Sequence, residues 1–144
     1  MNPPMRPRLS LDRDHTVRGT KLLDWFFANR KWIRSAKLQV VECSWAERPL
    51  PEGEASIRFL VLATKRSYRR AHDRNHVKRW LRAAVTEIPE FVTLELSAKE
   101  REKQILIMMR ISKPLPEVSW RMVVSDVERI AEYLSYRSMK GPTA

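Results

Sequence analysis

"SIRFLVLATKRSYRRAHDRNHVKRWLRAAV", residues 56–85, contains the change of pattern that decides the reading of this chain. Up to Thr64 it alternates as a strand does. Ile57, Phe59, Val61 and Ala63 share one face, and Leu60 and Leu62 make the other face apolar too. Apolar character on both faces implies a central place in a sheet. "KRSYRRAH" then forms a cationic loop. From Asp73 the apolar residues change to helical spacing, and a helix is predicted to run to Ile88, where Pro89 stops it.

A helical projection separates two faces of that helix. With Arg74 at the origin, Lys78, Arg82, Asn75 and Arg79 fall at about 40°, 80°, 100° and 140°, one continuous stripe of donors. Val77, Leu81, Ala84, Trp80 and Ile88 lie between about 240° and 340°, with Val85 on the seam, and form the core face. From Lys65 to Arg82 there are eight cations (Lys65, Arg66, Arg69, Arg70, Arg74, Lys78, Arg79 and Arg82) against one acid, Asp73. Four cations on one helix face repel one another and gain nothing from pairing four residues apart, so the clustering points to a polyanion. Asp73 stands near the helix N-terminus, where an acid suits the free N–H groups and the local dipole.

The same stretch contains His72 and His76, four apart, which could present two imidazoles to one metal ion. The helical zinc-protease pattern needs glutamate directly after the first histidine, and here that residue is Asp73. No third ligand is evident beyond the distant His15, and the surrounding cations oppose Zn²⁺. The expectation is no metal site and no catalytic residue in this chain. The three glycines, Gly19, Gly53 and Gly141, make no phosphate loop, and no nucleophile elbow or cysteine–histidine pair is visible.

The 144 residues suit one domain. Lys and Arg number 28 against 17 Asp and Glu, a net charge of +11, which favours nucleic acid first and an anionic membrane surface second. No apolar run reaches the length of a spanning helix, and no secretory segment is visible, so a cytoplasmic protein is expected. Cys43 is the only cysteine, which rules out an intrachain disulfide and suggests a buried thiol. Residues 1–12 read as a flexible basic arm, 13–137 as the folded unit and 138–144 as a flexible tail. Outside the central stretch, a helix is predicted over 16–30, a strand over 37–45, a turn over 47–56, a second apolar strand over 104–111 and a final helix from Trp120 to Tyr136. The order is α-β-β-α-β-α with room for one more short strand, a single small α+β domain.

The first helix packs Trp25, Phe26, Phe27 and Trp32 into eight residues. Trp25, Phe26 and Phe27 point in three directions, so either the core takes some of them or one or two rings, edged by Arg30, Lys31 and Lys37, stack on unpaired bases.

Residues 60–85 resemble the signature of the bacterial ribonuclease P protein component, in which a strand ends in Ser-Lys-Lys/Arg and an Arg-Asn-Arg-x-x-Lys-Arg-x-x-Arg helix follows. Thr64-Lys65-Arg66 stands at the strand end, and Arg74, Asn75, Lys78, Arg79 and Arg82 match the helix. "FFANRK" and the Arg8-Leu9 pair extend the likeness more weakly. The resemblance implies an α-β-β-β-α-β-α domain whose signature helix lies in a left-handed β-α-β crossover, against the usual right-handed rule. It implies a protein that pairs with a catalytic RNA in an endonuclease removing the 5′ leader from precursor tRNA, with Mg²⁺ held mainly by RNA. By position, Lys65, Arg66, Arg69, Arg70, Arg74, Asn75, Lys78, Arg79 and Arg82 become RNA contacts. The leader cleft between the first helix and the sheet takes Leu23, Phe27, Lys37 and Val41, with Leu23 and Val41 standing where many members have aromatics. His76 departs from the pattern by replacing the second arginine of Arg-Asn-Arg. The partners implied are the catalytic RNA and precursor tRNA, with no membrane and no obligate protein partner. A general structured-RNA-binding or ribosome-associated protein is the alternative.

Overall fold

The computed structural model describes residues 24, 25, 28 and 33–139, with side chains to 136. Asp24, Trp25 and Ala28 are helical, while the rest of the expected first helix, the 1–12 arm and the end of the tail lie outside the described residues. The elements are β1 (Arg34–Lys37), β2 (Val41–Pro49), β3 (Ile57–Leu62), α1 (Ala71–Glu87), α2 (Glu90–Glu100), β4 (Lys103–Ile111), a short 3-10 turn (Leu115–Glu117) and α3 (Trp120–Met139). The chain is thus a small α+β unit with one mixed sheet.

The sheet order is β1-β2-β4-β3. β1 and β2 are antiparallel, as are β2 and β4, whereas β3 runs parallel to β4 with Phe59 opposite Ile107. Parallel neighbours need a crossover, and here it carries both α1 and α2. Alternation sorts the strands into two faces. Val41, Cys43, Trp45, Ile57, Phe59, Ile105, Ile107, Met109 and Ile111 build the main core with the helices. On the opposite face Ala46 and Leu106 form a smaller cluster with Trp25, Ile33 and Met108.

Three expectations are corrected. The strand over 37–45 is in fact the end of β1, a tight reversal and most of β2, closed by the Leu38 N–H donating to the Val41 carbonyl at 2.9 Å. That reversal supplies the additional short strand, and β2 then runs to Pro49, into the region expected to be turn. β3 is an edge strand and not a central one. Leu60 and Leu62, whose apolar character suggested two-sided burial, are only half-buried, and the central places belong to β2 and β4. Pro89 ends α1 but immediately starts a second helix, which was not expected. Proline is well tolerated at a helix start, because the N–H it lacks has no intrahelical partner there. Phe91, Leu94 and Ala98 then fall on one face and are fully buried, with Phe91 meeting the edge of Phe59 at 5.2 Å between centroids.

Cys43 is buried as expected, and burial pushes its thiol up to about 12. Thiolate is the reactive species, so a disulfide reagent at pH 8 should leave the native protein unmodified and label it once denaturant opens the core. Rapid labelling of folded protein would contradict the burial.

Candidate nucleic-acid interface

α1 is amphipathic in the manner its spacing requires. Val77, Leu81, Ala84 and Val85 are buried against the sheet and α3. Burying a valine or leucine side chain contributes about 1.5–3 kcal/mol, so this face fixes the helix's rotation and turns the other one outward. On the outer face Asn75, Arg79 and Arg82 are exposed and Lys78 is half-buried. With Ala83 and Thr86 they line a shallow concavity of about 550 Å³. The loop before the helix continues the positive surface, since Lys65, Arg66, Arg69 and Arg70 are all exposed.

The partners of the cations divide the molecule electrostatically. On the far face of the sheet, positive charges are matched: Arg58 meets Glu54 at 2.8 Å, Arg48 reaches the same carboxylate at 3.7 Å, and Arg110 pairs with Glu42. Lys37 also lies 3.7 Å from Glu42. Among the described residues no carboxylate pairs with Lys65, Arg66, Arg69, Arg70, Arg74, Lys78, Arg79 or Arg82. Uncompensated like charges raise the energy of the free protein and are relieved by an anionic partner. Ordered backbone donors add to this, because the N-cap residue Arg70 makes no side-chain capping bond and Asp73 is the one acid in the first turn. α1 begins at Ala71, so Asp73 contributes to the dipole from inside the helix and does not cap it.

The histidines do not act together. His72 is exposed, while the His76 ring lies 4.5 Å from Trp80, which in turn meets Trp120 of α3 at 6.0 Å. Position 76 therefore belongs to an aromatic row between α1 and α3 and stands apart from the cationic stripe. Among the described residues no group of three or more His, Cys, Asp or Glu could hold a metal ion.

The leader-cleft residues separate as well. Lys37 is exposed on β1. Val41 is fully buried in the main core, on the sheet face covered by α1, α2 and α3, so it does not line an open cleft. The reason is register, because its odd-numbered neighbours Cys43 and Trp45 face the same way. Leu23 and Phe27 lie outside the described residues. Trp25 packs with Ala46 and Leu106 on the other sheet face, and the Arg48 guanidinium lies 5.2 Å from its ring centroid.

One buried residue of the cationic loop was not singled out from the sequence. Tyr68, in the middle of "KRSYRR", is buried, and its hydroxyl lies 2.8 Å from the Lys113 carbonyl and 3.2 Å from that of Ile111. An aromatic enclosed by four cations was the available signal.

Comparison with known proteins bears on the fold and the family of the chain. No curated protein matched the chain. Among solved structures, the chain is similar to the RNase P protein of Staphylococcus aureus at 13% identity and a TM-score of 0.54, covering 83% of this chain and 94% of that one, a likeness of fold. The family model described as Ribonuclease P matches residues 11–134, which include the whole sheet, α1, α2 and most of α3. The chain belongs to the Ribonuclease P family.

Proposed function

We propose that this chain is the protein subunit of a cytoplasmic ribonuclease P ribonucleoprotein, helping a catalytic RNA remove the 5′ leader from precursor tRNA. The observation that carries the reading is the set of eight cations on α1 and its preceding loop that have no carboxylate partner among the described residues, beside a sheet face whose cations are matched. In this reading the stripe formed by Asn75, Lys78, Arg79 and Arg82 docks on the phosphates of the catalytic RNA, and Lys65, Arg66, Arg69 and Arg70 extend the contact. The single-stranded leader of precursor tRNA would run between the first helix and the sheet, past Lys37. Mg²⁺, held mainly by the RNA and its substrate, supplies the hydrolytic chemistry. The protein contributes charge neutralisation and placement, so that the folded RNA and its substrate approach with less repulsion at low Mg²⁺.

Adding the protein to a bacterial ribonuclease P RNA should therefore restore precursor-tRNA cleavage at Mg²⁺ concentrations where the RNA alone is slow. Absence of stimulation across a Mg²⁺ titration would refute the assignment. Equal binding to unrelated structured RNAs, with no gain in cleavage, would indicate a general RNA-binding protein. Lys78→Ala should also reduce the slope of log affinity against log salt by about 0.9, the counterion equivalent of one phosphate contact on duplex nucleic acid. An unchanged slope would mean that this stripe is not the RNA face.

A further inference from the structure

The cationic loop between β3 and α1 is tied down at two points, one through the buried Tyr68 and one through the guanidinium of Arg74. Tyr68 is 7% exposed, with its ring in the main core and its hydroxyl beside the backbone carbonyls of Ile111 and Lys113, at the end of β4. Its one proton can be donated to either carbonyl, and that bond joins the middle of the loop to the strand that pairs with β3. From the helix side, the Arg74 guanidinium folds back, and a single nitrogen, Nη1, donates to the carbonyls of Tyr68 and Arg69, each at 2.9 Å. Nη1 carries two protons, so both are committed to the loop. The Tyr68 N–H donating to the Thr64 carbonyl at 2.9 Å and the Ser67 N–H donating to Thr64 Oγ1 at 3.3 Å complete a compact turn.

We propose that Tyr68 and Arg74 are positioning residues, a clasp that holds Lys65, Arg66, Arg69 and Arg70 in one array for a phosphate backbone. The inference rests on the RNA-binding reading above and gives Arg74 a role distinct from that of Lys78, Arg79 and Arg82. The physical need for a clasp is plain. Four cations in six consecutive positions repel one another, and without a restraint the loop would spread them apart. Long side chains also lose rotamer freedom on binding, and a backbone fixed beforehand lowers the total ordering cost. Arg74 suits the task because its charge-assisted bonds to carbonyls are stronger than neutral ones, and because it commits one guanidinium nitrogen to the loop without adding an acid. An acid in that position would cancel the charge that the loop presents.

Double-mutant cycles on the full chain, read as affinity for a ribonuclease P RNA at fixed salt, test the clasp. Tyr68→Phe removes only the hydroxyl and should weaken binding about fivefold, the value of one hydrogen bond. In a background with Lys65, Arg66, Arg69 and Arg70 all changed to alanine, the same substitution should have no further effect, since there is no array left to place. In a Lys78→Ala background the fivefold loss should persist. Arg74→Ala should couple to the loop background in the same way, and it provides the measurement if Tyr68→Phe loses its thermal unfolding transition. Equal losses in the native and loop-neutral backgrounds would overturn the clasp, as would no loss at all in a protein that still depends on Lys78. If the Lys78→Ala salt slope is itself unchanged, the RNA-face reading has failed, and that result is separate from the coupling.

Discussion

Replacing Lys78, Arg79 and Arg82 together by alanine is expected to leave the fold intact while weakening RNA binding about a thousandfold, at the low end of three charge-assisted contacts. The two halves of this expectation have different causes. Arg79 and Arg82 are exposed and Lys78 is half-buried, and none of the three pairs with a carboxylate among the described residues. Removing them creates no cavity in the Val77, Leu81, Ala84 and Val85 face. Alanine is the strongest helix former, and Lys78 and Arg82 are like charges four residues apart, so their removal relieves repulsion along α1. Thermal stability should be unchanged or slightly raised. Binding should fall steeply, and the salt slope should drop by about 2.7 if each residue displaces counterions from one phosphate. A binding titration at several salt concentrations, with a circular-dichroism melt on the same sample, checks both. A variant that folds and still binds with native affinity would remove α1 from the interface.

Asp126→Ala is expected to cost about 3–5 kcal/mol of stability, from the loss of two bonds to a charged acceptor and the stranding of two buried donors. Asp126 is 2% exposed on α3, yet one carboxylate oxygen accepts from the Val40 N–H at 2.7 Å and the Val41 N–H at 3.0 Å. Val40 and Val41 are themselves buried where the hairpin turns from β1 into β2. The carboxylate thus replaces a missing β-ladder partner and pins the hairpin to the last helix. Alanine leaves both N–H groups inside the core with nothing to bind. The melting temperature should drop by on the order of 10–15 °C for a chain of this size. Asp126→Asn, which keeps one acceptor oxygen, should fall between the two. A shift of less than about 2 °C for the alanine variant would mean that the hairpin does not depend on this tie.

Asp126 also shows where reading by pattern stops. Val123, Val127, Ile130 and Leu134 mark the buried stripe of α3 at helical spacing, and an aspartate three residues after Val123 lies within that stripe. The sequence therefore contains the anomaly but not its partner, because the two N–H groups that need it are 85 and 86 residues away. Tyr68 is a similar case. Its place among four cations is visible, while the carbonyls of Ile111 and Lys113 become its neighbours only when β4 lies beside β3.

The sequence alone determined the α+β class, the final helix, the apolar strand that became β4, the buried state of Cys43 and the division of α1 into an apolar and a cationic face. These are local properties. A helical or alternating period is set by backbone geometry within a few residues, and the cationic cluster needs only proximity along the chain. Only the tertiary structure decided which strand lies at the edge, that Pro89 opens a helix as well as closing one, and that Val41 faces the core. It also separated cations matched by Glu42 and Glu54 from those on α1 and its loop that have no carboxylate partner among the described residues. Those outcomes depend on strand order and on which face of the sheet the helices cover, and both are settled by pairing between residues far apart in sequence, where local periodicity carries no information.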